Sequence, residues 1–101
     1  MSKVVIVTGG SRGIGAATAL LAAKQGYAVC VNYQTRMEAA DTVVEAVESE
    51  GGRAIAVAGD VSSAEKVVRI FEETEAKLGP VTALVNNAGI LEQQMRVEAM
   101  T

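Results

Sequence analysis

Short, continuous apolar runs recur along the chain, and between them lie longer segments in which apolar residues repeat every three or four positions. The first run, VVIV at 4–7, is followed by AVCVN at 28–32, RAIAVAGD at 53–60 and VTALVNNAG at 81–89. Apolar runs without strict alternation are typical of parallel strands that are buried on both faces of a sheet. The pattern therefore predicts four strands. The segments quoted for the third and fourth strands also include the loops at their carboxyl ends.

The three intervening segments carry the signals of helices. Residues 14–25 are rich in helix-forming alanine and leucine. TRME at 35–38 and SSAE at 62–65 match capping boxes, in which Thr35 or Ser62 caps the helix and the glutamate three positions later reaches back. The predicted apolar faces are Ala39, Val43, Val44 and Val47 in the second helix and Val67, Val68, Phe71, Thr74 and Leu78 in the third. The predicted helix ends are Gly26, Gly51–Gly52 and Gly79–Pro80.

The resulting order, β-α-β-α-β-α-β, is typical of an α/β fold with a parallel sheet. Right-handed crossovers place the first two helices on one face and the third on the other. We expect a Rossmann-type sheet with strand order 3-2-1-4, incomplete at the edge formed by strand 4. Residues 90–101 have no clear period, and Thr101 is a good helix cap with no helix after it, so we expect these residues to be part of a longer chain.

Composition and charge exclude several classes of protein. The formal net charge is −3 and there is no basic run, which argues against a nucleic-acid or membrane-surface binder. No apolar run approaches the length of a membrane span or of a signal-peptide core. The single cysteine, Cys30, forms no intrachain disulfide and fits a reducing compartment. We expect a cytoplasmic protein without a metal site, since histidine, the commonest metal ligand, is absent.

The stretch VTGGSRGIG at 7–15 joins the first strand to the first helix through four glycines. Such a turn presents backbone N–H groups and the positive end of a helix to an anion. Its spacing, T-G-x-x-x-G-x-G, differs from the G-x-G-x-x-G fingerprint. Ala16 stands where a triphosphate-binding loop requires lysine, so nucleoside triphosphate hydrolysis is not expected.

Small and polar residues stand at the carboxyl end of every predicted strand. Strand 2 ends at Asn32–Tyr33, strand 3 at Asp60–Val61 and strand 4 at Asn86–Gly89. In a doubly wound sheet the ligand lies across these ends. Asp60 alone is also typical of a helix entry, and the two asparagines are typical of a turn. Their placement along one edge, together with the glycine turn, indicates a ligand site.

The motifs TGGSRGIG, GDV and NNAG at these intervals are similar to those of the N-terminal half of the short-chain dehydrogenase/reductase family, over essentially the whole chain. The resemblance implies that residues 1–101 form the dinucleotide-binding half of an NAD(P)-dependent oxidoreductase acting on an alcohol or carbonyl. It is closest to 3-oxoacyl-carrier-protein reductases and glucose dehydrogenases, and it implies a dimer or tetramer as the full-length protein. Asn86 would mainly brace the sheet. By resemblance, the phosphates would contact Gly9, Ser11, Arg12, Gly13, Ile14 and Gly15. The adenine would contact Asp60 and Val61, and the nicotinamide ribose would contact Asn87, Ala88 and Gly89.

The choice of dinucleotide depends on the end of strand 2. NAD-specific sites place an acidic side chain there, bonded to the adenosine ribose 2′-hydroxyl. Here that end is Asn32, Tyr33 and Gln34, and the nearest acid, Glu38, belongs to the predicted capping box. An acid would repel a 2′-phosphate, so its absence permits NADP, whose charge Arg12 meets better than Arg36. We expect Asn32, Tyr33 and Gln34 to contact NADP, with NAD as the alternative cofactor.

The family's catalytic residues are missing from this sequence. The family uses a tyrosine as acid and base, a lysine four positions later and a serine that orients the carbonyl. Four positions after Tyr27 stands Val31, and four after Tyr33 stands Met37. No serine follows Ser63. We expect the 101-residue chain alone to be inactive, with its catalytic groups in a longer parent.

Two other functions stay open. One is a module that senses the dinucleotide without turning it over. The other is half of an S-adenosylmethionine-dependent methyltransferase, which shares the strand order. Such enzymes usually place an acid after strand 2, where this chain has Tyr33.

Overall fold

The computed structural model describes residues 3–9 and 13–86. Its helices and strands follow the predicted order, and their ends lie within a few residues of the predicted ones. The elements are β1 (Lys3–Thr8), α1 (Gly13–Lys24), β2 (Tyr27–Tyr33), α2 (Met37–Ser49), β3 (Ala54–Ala58), α3 (Ala64–Leu78) and β4 (Ala83–Asn86). In this described part of the chain, no helix is long and apolar enough to cross a membrane.

The strands form one parallel sheet in the order β3-β2-β1-β4, which confirms the predicted order 3-2-1-4. Val5 of β1 pairs with Val29 of β2 and with Ala83 of β4. Val29 pairs in turn with Ala54 of β3. Because all strands run in the same direction, their carboxyl ends lie along one edge of the sheet.

Side chains of β1 alternate between two apolar clusters, one on each face of the sheet. Val5 and Val7 belong to the cluster formed with α1 and α2, whereas Val4 and Ile6 belong to the cluster formed with α3. All four side chains are buried. The sheet therefore has helices on both faces, with α1 and α2 opposite α3, as the crossover rule predicts.

The start of α2 differs from the prediction. The helix begins at Met37 with Arg36 as its cap, and the Arg36 side chain makes no capping hydrogen bond. The carbonyl of Arg36 accepts the first helical hydrogen bond, from Ala40 at 3.1 Å. The predicted capping box is therefore wrong. The helix starts one residue later than Thr35 requires, and this leaves Glu38 one position too early to reach back.

The start of α3 is also shifted by one residue. Ser63, not Ser62, is the cap, and its Oγ accepts the backbone N–H of Lys66 at 3.4 Å. The Ser62 hydroxyl instead donates to Oδ1 of Asp60 at 2.8 Å. A carboxylate is a strong acceptor, so it holds Ser62 before the helix and leaves the cap to the next serine.

The buried face of α3 corrects one further residue. Ile70, Thr74 and Leu78 are buried and repeat every four positions along the side that meets the sheet. Val68 was predicted on this face, but it is 54% exposed, because two positions along a helix turn a side chain far from the buried side. In α2 the buried residues are Ala40, Val43 and Val47, with Ala39 and Val44 half-buried.

Candidate functional site

A cleft of about 610 Å³ opens at the edge where the four strands end and continues between the sheet and α3. Its polar part is lined by Thr8, Gly9, Asn32, Gln34, Gly59, Asp60, Ser62 and Asn86. Its apolar part is lined by Ile6, Val61, Val67, Ile70, Phe71 and Leu84. A concave, mostly apolar site with a few converging polar groups is typical of sites for small molecules and cofactors.

Two described glycines, one at the end of β1 and one at the start of α1, have a backbone conformation that other residues rarely adopt. Gly9 has φ 63° and Gly13 has φ 58°, both in the left-handed region. α1 begins at Gly13, and its first turn carries no acidic side chain. The first N–H groups of a helix have no partner within the helix, and the helix dipole makes this end positive. The start of α1 therefore presents N–H donors to an anion, and no carboxylate in its first turn competes for them.

β1 and β4 are joined at their carboxyl ends by side chains. The hydroxyl of Thr8 lies 3.1 Å from Oδ1 of Asn86 and 3.3 Å from the carbonyl oxygen of Val85. Thr8 also pairs with Asn86 in the register of the two strands. Asn86 thus contacts the neighbouring strand, in keeping with the bracing role that the resemblance implies.

Asn32 at the end of β2 is buried, and its amide bonds only backbone groups among the described residues. Its Oδ1 accepts the N–H of Gly9 at 3.4 Å. Its Nδ2 donates to the carbonyl oxygens of Val57 at 3.2 Å and Gly59 at 3.1 Å. This side chain therefore lies between the glycine turn and the exit of β3.

Asp60 forms a tight turn at the exit of β3. Its Oδ1 accepts the backbone N–H of Ser62 at 2.9 Å and the Ser62 hydroxyl at 2.8 Å. The hydrogen bond from the Ser62 N–H, then that from its hydroxyl, and then one from Gln34 hold the pKa of Asp60 below its ordinary value. The carboxylate is therefore ionised at neutral pH and acts as a hydrogen-bond acceptor on the rim of the cleft.

A shallower groove lies beside the end of β2, and Gln34, Thr35, Asp60, Lys66 and Arg69 are among the residues that line it. Lys66 and Arg69 stand three positions apart on α3, and both are exposed. In the sequence they are ordinary charges on a solvated helix face, so nothing distinguished them. The fold places the start of α3 beside the end of β2 and so brings two cations to this rim.

The structure brings together five of the predicted site residues in the main cleft. They are Gly9, Asn32, Gln34, Asp60 and Val61. Gly13, Ile14 and Gly15 form the first turn of α1, where Ile14 is exposed and Gly15 is buried. Tyr33 is half-buried against the cluster under α1 and α2. Ser11, Arg12, Asn87, Ala88 and Gly89 lie outside the described residues.

The two tyrosines lie at opposite ends of β2. Tyr27 begins the strand, far along it from the cleft, and the ammonium group of Lys3 lies 5.1 Å from its ring centroid. Tyr33 ends the strand. The position of Tyr27 fits a structural contact at the amino edge of the sheet and not chemistry at the cleft.

The chain matches a family model described as short chain dehydrogenase over residues 3–101. It is 48% identical over 98 residues to an uncharacterized oxidoreductase, YgfF, of Escherichia coli strain K12, a match that covers 97% of this chain and 40% of the relative. It is 47% identical over 89 residues to a 3-oxoacyl-[acyl-carrier-protein] reductase of Synechocystis, covering 88% of this chain and 36% of the relative.

The solved structures agree with these matches. The crystal structure of a dehydrogenase/reductase from Sinorhizobium meliloti 1021 matches with a TM-score of 0.84 and 45% identity, covering 89% of this chain and 36% of that protein. This chain therefore spans well under half the length of the relatives named here. The family model, the identities and the fold confirm the resemblance seen in the glycine turn and the NNAG motif, and the chain belongs to the short-chain dehydrogenase/reductase family.

Proposed function

We propose that this chain is the cofactor-binding portion of an NAD(P)-dependent oxidoreductase that moves hydride between the dinucleotide and an alcohol or carbonyl carbon. One observation carries the proposal: a single cleft is lined both by Gly9, a glycine with a left-handed backbone directly after β1, and by the ionised Asp60 at the exit of β3. The turn suits phosphate and the rim suits an amino-substituted ring. Family membership and the reductase of Synechocystis support the same chemistry.

Each part of the cleft has a role in this proposal. Gly9 and the first turn of α1, with Ser11 and Arg12, hold the phosphates. Asp60 accepts a hydrogen bond from the adenine amino group, and Val61 packs against the ring. Asn87–Gly89 contact the nicotinamide ribose. The apolar wall between the sheet and α3 supplies the contacts that a flat ring needs.

Hydride transfer at the nicotinamide ring is the chemistry that the cofactor supplies when bound. A carbonyl that is reduced takes the hydride at carbon and a proton at oxygen, and the reverse reaction returns both. Neither tyrosine of this chain is followed by a lysine four positions later. We therefore assign the proton donor to a part of the protein outside these residues, and we expect the 101 residues alone to bind without turnover.

The proposed cofactor preference is NADP over NAD. The end of β2 carries no carboxylate, since Tyr33 and Gln34 occupy it. Arg36 is exposed at the start of α2, and Lys66 and Arg69 line the adjacent groove. These cations and Arg12 favour the additional charge of a 2′-phosphate. The Asp60 carboxylate also lines that groove and opposes this charge, so we place most of the preference on Arg12.

The remaining parts of the proposal concern the whole protein. Its substrate is a small alcohol or carbonyl compound, it works in the cytoplasm, and it assembles as a dimer or tetramer. Family membership argues against the methyltransferase alternative. A dinucleotide-sensing module without turnover differs from the enzyme only in chemistry, so an assay on the full-length protein separates the two.

Titration calorimetry of the full-length protein with NADPH, NADH and S-adenosylmethionine tests the proposal. We expect NADPH to bind about tenfold more tightly than NADH, the difference that one charge-assisted contact supplies. We expect no binding of S-adenosylmethionine. Binding of S-adenosylmethionine without binding of either dinucleotide would overturn the proposal. Dinucleotide binding without turnover of any compound in a broad carbonyl panel would favour the sensing module.

A substitution tests the cofactor preference directly. Arg12→Ala should weaken NADPH binding by about 1.5–3 kcal/mol, the value of a hydrogen bond between charged groups, and should weaken NADH binding less. Arg53→Ala is the matched control, because Arg53 is exposed before β3 at the opposite edge and donates to the carbonyl oxygen of Lys77 at 3.3 Å. Equal losses for NADPH and NADH would show that Arg12 does not meet the 2′-phosphate.

A further inference from the structure

Asn32 is only 3% exposed, and the polar atoms of its side chain are hydrogen-bonded to three backbone groups. The N–H of Gly9 needs an acceptor, while the carbonyl oxygens of Val57 and Gly59 need donors. These requirements fix which end of the amide faces each partner. A carboxamide satisfies all three, and a carboxylate, which has no donor, does not.

The three groups lie in or directly after two strands, β1 and β3, that are not neighbours. β2 lies between β1 and β3 in the sheet. Backbone pairing therefore cannot link Gly9, which follows β1, to Gly59, which follows β3. Asn32 bridges these two exits from the end of β2. The N–H of Gly59 also donates to the carbonyl oxygen of Tyr33 at 2.9 Å, which ties the exit of β3 to the same strand end.

We propose that Asn32 is a positioning residue that sets the distance between the phosphate-binding turn and the adenine rim, an inference that rests on the proposed function. Gly9 belongs to the turn, and Gly59 directly precedes Asp60 on the rim. The sequence predicted that Asn32 contacts the cofactor itself. In the structure its amide is occupied by the protein, so its contribution is the spacing of the two subsites and not a bond to the ligand.

This role has a consequence that depends on the size of the ligand. In a dinucleotide the phosphates and the adenine are covalently joined, so both subsites are satisfied together only when their separation is held before binding. A ligand that reaches the rim alone does not sense that separation. Loss of the Asn32 amide should therefore weaken a ligand that spans both subsites much more than a ligand confined to one.

Calorimetry with two probes measures this difference in the full-length protein. NADPH spans both subsites, whereas adenosine carries the adenine and its ribose without any phosphate, so it reaches the rim and not the glycine turn. Asn32→Ser, which is neutral but too short to reach the three backbone groups, should lower the affinity for NADPH about tenfold and that for adenosine less than about twofold.

Thr74→Ala is the matched control. Thr74 is also a fully buried polar residue, and its hydroxyl donates to the carbonyl oxygen of Ile70 at 2.7 Å on α3, but it does not line the cleft. The variant should lower the thermal unfolding temperature as Asn32→Ser does, while leaving the ratio of the two affinities unchanged. A shift in that ratio in both variants would assign the effect to stability and would overturn the inference.

The other outcomes are equally decisive. Equal losses for both probes in Asn32→Ser, or no loss for either, would overturn the positioning role while the proposed function stands. Failure of the unmodified protein to bind NADPH would overturn both. If Asn32→Ser does not fold, amide hydrogen exchange in the unmodified protein without ligand decides the question. Slow exchange of the Gly9 N–H is expected, and exchange at the rate of an open loop would contradict the inference.

Discussion

Glycines in the left-handed region occur both at the cleft and away from it. Substitutions at the two kinds of position should differ in their effect on NADPH binding. Gly13 has φ 58° and begins α1 at the proposed phosphate site, whereas Gly51 has φ 89° and follows α2 at the opposite edge of the sheet. Apart from the adjacent residues and the backbone of the same helix, no described atom lies within 4 Å of a Cβ built on either glycine. Alanine at either position therefore strains the backbone without a steric clash, and only one of the two changes touches the site.

We expect Gly13→Ala and Gly51→Ala each to lower the free energy of unfolding by about 1–2 kcal/mol, the cost of left-handed backbone for a residue with a Cβ. Only Gly13→Ala should weaken NADPH binding, by about tenfold or more, because relief of the strain turns the first N–H groups of α1 away from the phosphates. Urea unfolding and calorimetry give the two quantities. Unchanged NADPH affinity in Gly13→Ala would show that the turn is only structural.

Cys30 gives a prediction about pH. Burial raises the pKa of its thiol from 9.0 to about 11, and a hydrogen bond with Thr74 opposes this in part. The thiol therefore ionises more readily in the unfolded chain. Its contribution to stability is complete below about pH 9 and is lost as the pH rises to about 11.

The loss should reach roughly 2–3 kcal/mol at the upper end of this range. Cys30→Ala removes the titrating group, so its stability, although lower at neutral pH, should fall less across the same range. Urea unfolding of both proteins, below and above this range of pH, isolates the thiol from the other groups that titrate there. A difference between the two proteins that does not change with pH would contradict the prediction.

At the scale of the helix, the two serines before α3 have separate roles. Ser63→Ala removes the cap and should cost about 0.5–1 kcal/mol of stability, at the lower end for a cap because the bond to Lys66 is 3.4 Å long. Ser62→Ala should cost less stability but should raise the pKa of Asp60 toward its ordinary value, since one donor to the carboxylate is lost. Thermal unfolding and NMR titration of the Asp60 carboxyl measure the two effects. Equal effects of the two variants on both quantities would contradict this assignment.

The elements were predictable from the chain because their signals are local. An apolar run, or a glycine at a helix end, is recognised from residues only a few positions apart. Each strand and helix predicted from these signals is present. The start of α3 was missed by one residue for a physical reason. A capping box is a pattern of residue types, but the cap is the residue whose oxygen accepts a first N–H of the helix, and the hydrogen bond that the Ser62 hydroxyl donates to the Asp60 carboxylate holds Ser62 before the helix. Sequence spacing does not reveal such competition.

At the scale of the molecule, the handedness of the crossovers was enough to predict strand order and so to place the strand ends on one edge. The role of Asn32 could not be found in this way. It depends on one side chain reaching the exits of two strands, and the residues it joins are 23 and 27 positions away in the chain. The cations Lys66 and Arg69 were missed for a similar reason, since only the packing of α3 brings them beside β2.

The second face of the sheet is less covered than the first in the described part of the chain. α1 and α2 lie over one face, and α3 alone lies over the other. Leu84 of β4 and Phe71 of α3 are half-buried there and line the apolar part of the cleft. β4 is one of the two edge strands of the sheet formed by the described residues. An apolar edge of this kind tends to recruit a partner strand or another copy of the chain.

We therefore expect residues 1–101 expressed alone to self-associate, to bind NADPH weakly and to show no turnover, because the acid catalyst that is worth about 10²–10⁴ in rate is missing from them. Leu84→Lys places a charge on the second, less covered face of the sheet and should shift the association toward the monomer. Met37→Lys, at a 55% exposed position where α2 begins on the other face, is the control and should leave association unchanged. Light scattering over a range of concentrations, with a thermal-unfolding check on each variant, follows the association. The opposite outcome is that residues 1–101 without substitutions form a stable monomer that oxidises NADPH in the presence of a carbonyl compound. That result would contradict the argument from the less covered face. It would also contradict the assignment of the proton donor to another part of the protein.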